Sequence, residues 1–234
     1  MSYTKVASAL KTTTNPLRAT HAQRFFRTGK GEYGEGDVFL GQSVPTLHKI
    51  AKQYRDLSLQ DIETLLKSKF HEFRLTALFI LVSQFERGDE KARKNIYRFY
   101  LAHTAHINNW DLVDSSAHKI VGAWLLDKDT APLYTLARSK DLWKKRIAIV
   151  ATWWFIRSGR LKDTFAISDI LLHDTHDLIH KAVGWMLREA GKKDVVQLEA
   201  FLAPRYKTMP RTMLRYAIEK FPERARKMYL KGLV

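Results

Sequence analysis

Trp110 and Asp114 stand four residues apart, the spacing that puts two side chains on one face of an α-helix. Asn108 and Asn109 just before them can cap that helix. Both residues then fall in or beside its first turn, where the helix dipole favours an ionised carboxylate. An aromatic plate beside a carboxylate suits a sugar that develops positive charge at its anomeric carbon. The same two residues also read as a core tryptophan and a capping aspartate, and the pair alone does not separate these readings. Asp111 lies about 100° around the helix from Trp110 and reads as a second capping acid.

Other residues could serve the same chemistry. Arg146, in Trp143-Lys144-Lys145-Arg146, carries a planar fork that suits phosphate with two parallel hydrogen bonds. Lys144 and Lys145 read equally well as the basic start of an ordinary helix. Gly184 beside Trp185 costs a helix about 1 kcal/mol relative to alanine, so another backbone or a ligand is expected to come close there. Trp185 is then a second aromatic plate or a large core residue. His173, His176 and His180, like His103 and His106, have spacings that let two imidazoles face one metal. They lack the H-E-x-x-H order with its placed general base, so no metal is expected, and no cofactor either. Within residues 29–37, Gly29 to Gly34 match G-x-G-x-x-G, but no strand precedes them and Glu32, Glu35 and Asp37 would repel a phosphate. This segment is expected to be a loop.

The elements that must position these residues are helices. Apolar residues recur at i, i+3, i+4 from Phe70 through Phe85, Leu142 through Ile156, Leu178 through Leu187 and Met213 through Phe221. Turn-forming pieces such as Arg87-Gly88-Asp89 and Ser158-Gly159-Arg160 separate them, and no alternating runs sit at hairpin spacing. An all-α fold follows. Arg74, Arg146, Lys181 and Arg215 each sit in an apolar helix with alanine one to three residues later, at separations of 72, 35 and 34 residues. The first separation is about twice the others, and the missing register falls near Trp110–Asp114. A period in the mid-thirties to forties with two helices per unit predicts a superhelical solenoid of HEAT-like repeats, read as one domain over residues 1–234. Equivalent helices of such a stack line one concave face, here expected to be basic.

Composition points the same way. Forty Lys and Arg stand against 24 Asp and Glu, a net charge of +16, and self-repulsion on that scale favours a polyanionic partner. Hydrophobic residues at 45% and charged residues at 27% describe a globular chain. No membrane span or secretory leader is expected, which places the protein in the cytoplasm. The absence of cysteine excludes a disulfide framework, a thiolate metal site, a cysteine nucleophile and methyl transfer to a thiol.

Four blocks resemble the alkylpurine DNA glycosylases of the AlkD type. They are GEYGEGDVFLGQSVP at 31–45, NNWDLVDSSAHKIVG at 108–122, LWKKRIAIV at 142–150 and HKAVGWMLRE at 180–189. The resemblance extends at lower definition from about residue 5 to about residue 230. It implies that Trp110, Trp185 and Asp114 surround the deoxyribose of a lesion and that Arg146 helps hold the phosphate backbone. Arg188 matches a further basic position, and Lys144, Lys145, Lys181, Arg74 and Arg215 extend the expected DNA-binding surface. A departure is Asn109, where some members carry another tryptophan. The function implied is hydrolysis of the N-glycosidic bond of N3- or N7-alkylated purines in double-stranded DNA; a solenoid with a DNA groove can do this as a monomer. The main rival is a non-catalytic DNA-binding solenoid; a protein-interaction scaffold fits the net charge less well.

Overall fold

The computed structural model describes residues 1–234, as helices, turns and loops apart from one isolated parallel bridge between Val38 and Phe70. The chain divides into two compact units, residues 1–116 and 117–234. The first holds α1 (Tyr3–Lys11), α2 (Pro16–Phe25), α3 (Val44–Gln53), α4 (Leu59–Leu66), α5 (His71–Arg87) and α6 (Glu90–Ala102). It ends in α7 (Trp110–Ala117), whose last residue opens the second unit. There the chain runs through a π-helical turn, His118–Gly122, into α8 (Ala123–Leu125), α9 (Ala131–Ala137), α10 (Leu142–Ala151), α11 (Trp153–Arg157) and α12 (Lys162–Ile170). It finishes with α13 (Asp177–Lys193), α14 (Val195–Leu202), α15 (Arg211–Ala217) and α16 (Glu223–Lys231). The all-helical expectation holds, and no helix is long and apolar enough to cross a membrane.

Local chemistry sets the helix starts. The Asn15 and Ser43 side chains accept the amides of Arg18 and Thr46, and a proline in each first turn needs no partner for its missing N–H. Ser58, Asp89, Asp141 and Asp194 cap α4, α6, α10 and α14 in the same way.

In the first unit α5 packs against α3, α4 and α6, with Leu78, Ile80 and Leu81 fully buried. A helix covered on all sides belongs in the interior, and the polar residues of its opening, His71, Glu72 and Arg74, are buried with it. Buried polar groups must find partners, and those partners define the site described below. In the second unit α10 packs against α9 and α13, and α13 against α15. Gly184 allows that last approach. A Cβ added there would sit 2.5 Å from Tyr216 Cβ and 2.6 Å from the Met213 carbonyl oxygen. The close approach expected at Gly184 is thus made by α15. Gly184→Ala is expected to destabilise the protein by about 1–3 kcal/mol, as overpacking does, despite alanine's better helix propensity; a thermal melt checks this.

The sequence register has a local counterpart. Arg74 is the fourth residue of α5, and Asp114, Arg146, Lys181 and Arg215 are the fifth residues of α7, α10, α13 and α15. Four of these helices carry a cation at or next to the position where α7 carries its carboxylate.

Candidate active site in the first unit

The start of α7 is fastened from several directions. The Asn109 side-chain oxygen accepts the Trp110 amide at 2.8 Å, and its nitrogen donates to Asp37 at 3.3 Å. Asn109 is completely buried, so the position that departs from the resembled family is a hinge pin between α7 and the loop before α3. Asp111 does not simply cap the helix. One oxygen accepts the Leu112 amide at 2.9 Å, and the other meets His71 Nε2 at 2.8 Å.

His71 links two carboxylates. Its Nδ1 lies 3.1 Å from Asp37, whose other oxygen accepts from the Arg74 guanidinium at 2.6 Å. Burial disfavours the charged imidazole, but Asp111 and then Asp37 outweigh it and raise the His71 pKa to about 9. Burial likewise raises Asp37, and His71 and Arg74 more than offset it, leaving that carboxyl below its ordinary range. Glu72, beside His71, accepts the backbone amides of Leu40 at 2.9 Å, Gly41 at 2.8 Å and Gln42 at 3.4 Å. Residues 37–42 are therefore held to the opening of α5 by charge-assisted bonds.

Aromatic rings complete the setting. Trp110 is stacked on Phe26 at 5.1 Å between centroids and 17° between planes, and Phe25 meets it in a T-shaped contact at 5.7 Å and 72°. Phe26 stacks in turn on Phe39 at 5.0 Å, and Phe39 on His71 at 4.6 Å. Four rings thus run from Trp110 to the buried imidazole. The glycine-rich loop sets this stack, because Gly34 lies directly on the Phe26 carbonyl, where a side chain has no room. Glu32 and Glu35 accept the amides of Gly29 and Gly31, so the acids of the G-x-G-x-x-G match close their own loop. A cleft of about 440 Å³ opens beside the stack, with Phe26, Phe39, His71 and Asp111 on its walls and Arg18 and His21 among its lining residues.

Asp114 is half-buried on the same helix, one turn from Trp110. Its charge bears on Tyr100: burial first, and Asp114 last, push the Tyr100 hydroxyl up from its ordinary pKa, while the Tyr100–Ser116 hydrogen bond at 3.0 Å works the other way.

The second unit holds the remaining expected residues. Arg146 is 5% exposed, and one guanidinium nitrogen donates to the Leu178 carbonyl at 2.6 Å, tying α10 to the first turn of α13. Trp185 is half-buried on α13. Lys145 pairs with Asp174, Lys181 with Asp177 at 2.7 Å, and Arg188 with Glu219 and Glu189. Lys144 is half-buried and Arg215 exposed. The expectation that Arg74 faces a ligand needs correction: it is 6% exposed and its guanidinium is turned to Asp37. His176 Nδ1 accepts the Leu178 amide at 3.1 Å, and His180 meets the Asp174 carbonyl, so both rings serve the loop before α13.

The model of a family described as DNA alkylation repair enzyme matches residues 6–221. The chain belongs to this family. A comparison with curated proteins found no match. Among solved structures, a predicted DNA alkylation repair enzyme from Enterococcus faecalis is similar with a TM-score of 0.70 at 17% identity, covering 90% of this chain and 97% of that one. At that identity the likeness concerns the fold. The DNA alkylation repair match takes in all seven helices around Trp110, Asp114 and the Asp37–His71–Asp111 bridge except the first three residues of α1.

The sequence singled out Trp110 and Asp114 but not what grips them. Phe25-Phe26, Asp37, His71 and Glu72 were the residues missed. The available signal was His71-Glu72-Phe73-Arg74, four residues with three ionisable side chains at the head of a strongly apolar run.

Proposed function

We propose that this member of the DNA alkylation repair family is a monofunctional DNA glycosylase that hydrolyses the N-glycosidic bond of cationic N3- or N7-alkylated purines in duplex DNA. The observation that carries this reading is the pairing of a gripped Trp110 with Asp114 one turn along α7. A purine alkylated at N3 or N7 already carries positive charge and leaves without being protonated, so no general acid is required. What the reaction needs is stabilisation of an oxocarbenium-like sugar and admission of a water, as in glycoside hydrolysis generally. Asp114 supplies the opposite charge and orients the water. Trp110, held by Phe25 and Phe26, would present to the cationic sugar the π face that Phe26 does not cover.

The proposal assigns Trp185 to a second aromatic face and Arg146 to the phosphate backbone, following the resemblance. The bond from Arg146 to the Leu178 carbonyl would fix the aim of its guanidinium. Lys144, Lys145, Lys181, Arg188 and Arg215 are assigned to non-specific attraction of the duplex. A HEAT-like solenoid acting as a monomer is the architecture proposed for this reaction.

The test is incubation with methylated duplex DNA and measurement of free 7-methylguanine and 3-methyladenine together with abasic sites. The reading expects released base in equal amount to abasic sites, with strands uncut. Tight duplex binding without release would move the protein to the non-catalytic reading.

A further inference from the structure

The first 31 residues contain six Lys and Arg and no Asp or Glu. Within them α2 is unusual for a helix in a compact unit, because none of its ten residues is buried. Arg18 and Arg24 on α2, and Arg27 and Lys30 just beyond it, are exposed and make no ion pair. Four other cations of the expected DNA-binding set behave differently, since Arg74, Lys145, Lys181 and Arg188 all have carboxylate partners. We infer that α2 is a contact for the nucleic-acid backbone, with Arg18 and Arg24 binding phosphates beside Trp110.

Three observations favour this occupant. Arg18, His21 and Arg24 fan over roughly a third of the helix circumference, so they address a broad anionic surface rather than one carboxylate. The helix ends in Phe25, which is 58% exposed and meets Trp110 in a T-shaped contact, so the cationic surface runs directly into the candidate site. A membrane surface fits less well: Leu17 and Phe25 are the only large apolar residues of α2 exposed in this way, and an interfacial helix needs a continuous apolar face. The acid-free stretch also accounts for why α2 stays at the surface. Its charges gain nothing from burial, and its anchors are the Asn15 cap and the Phe26 packing that follows it.

This inference rests on the reading of the chain as a DNA-binding repair enzyme. It is tested on the full-length protein by fluorescence anisotropy with a short labelled DNA duplex between about 50 and 200 mM salt. Arg18→Ala/Arg24→Ala is compared with wild type and with Lys91→Ala/Arg98→Ala, which removes two exposed cations from α6. Each lost phosphate contact should lower the slope of log affinity against log salt by about 0.9. The α2 variant is therefore expected to lose roughly two from the slope and about tenfold in affinity, while the α6 variant keeps the wild-type slope. An unchanged slope for the α2 variant would overturn the proposal while leaving duplex binding, and the repair reading, intact. An equal loss in both variants would reduce the effect to net charge and overturn it as well. If phosphatidylserine vesicles bind wild type as strongly as the duplex, and the α2 variant loses that binding, α2 is a membrane contact. Absence of duplex binding by the wild type would sink both the inference and the function it rests on.

Discussion

Asp114→Asn should bind methylated duplex DNA with wild-type affinity and lose base excision by roughly 100- to 1,000-fold, the usual cost of removing one preorganised electrostatic stabiliser. The substitution conserves shape and removes the charge that would face an oxocarbenium-like sugar. It also tests the simpler structural account, in which Asp114 serves only the packing and electrostatics around α7, Tyr100 among them. A circular-dichroism melt reads any structural cost of the change separately from excision. Single-turnover excision and duplex binding measured on the same preparations separate the roles. A variant that melts normally, binds normally and excises normally would remove Asp114 from the chemistry.

The second large effect concerns pH. The folded-state pKa of His71, about 9, lies above its ordinary value of 6.5. Stability contributed by the imidazolium is therefore fully present below about pH 6.5 and is lost as pH rises toward 9. The difference corresponds to on the order of 3 kcal/mol, or roughly 6–12 °C in melting temperature for a chain of this size. Deprotonation leaves Asp37 and Asp111 facing a neutral ring, with Arg74 still charged beside Asp37. Melting temperature is expected to fall across pH 6.5–9 in the wild type. His71→Asn should begin lower and show a much flatter dependence over that interval. A wild-type curve flat over the interval would mean that the ring is neutral in the bridge.

How much of this was readable beforehand follows from the range of each interaction. Helices announce themselves within a few residues, so α5, α10, α13 and α15 were visible as apolar periodicity, and Trp110 and Asp114 as one face of α7. The fastening of α7 was not visible, because Asp37 meets His71 across 34 residues and Asn109 across 72. Nothing local in Phe25-Phe26 says that one ring lies flat on Trp110 and the other meets it in a T-shaped contact. Arg74 was misread for a related reason. A cation in an apolar helix belongs either to a ligand-facing stripe or to a buried pair, and the deciding partner, Asp37, sits in a loop where its charge reads only as one that would repel a phosphate. Gly184 went the other way: its cost in a helix was visible, and α15 turned out to be the neighbour that requires it.

The central claim is that the enzyme removes bases that are already cationic, using a carboxylate and an aromatic face without protonating the leaving group. The most direct measurement is single-turnover base release from two defined duplexes, one carrying a single 7-methylguanine and the other a single hypoxanthine, a damaged but neutral purine. The account predicts release of 7-methylguanine, leaving an uncut abasic strand, and little or no release of hypoxanthine. Comparable release of both, or of hypoxanthine alone, would contradict it, since a neutral base leaves only with a proton, which the proposed mechanism does not supply.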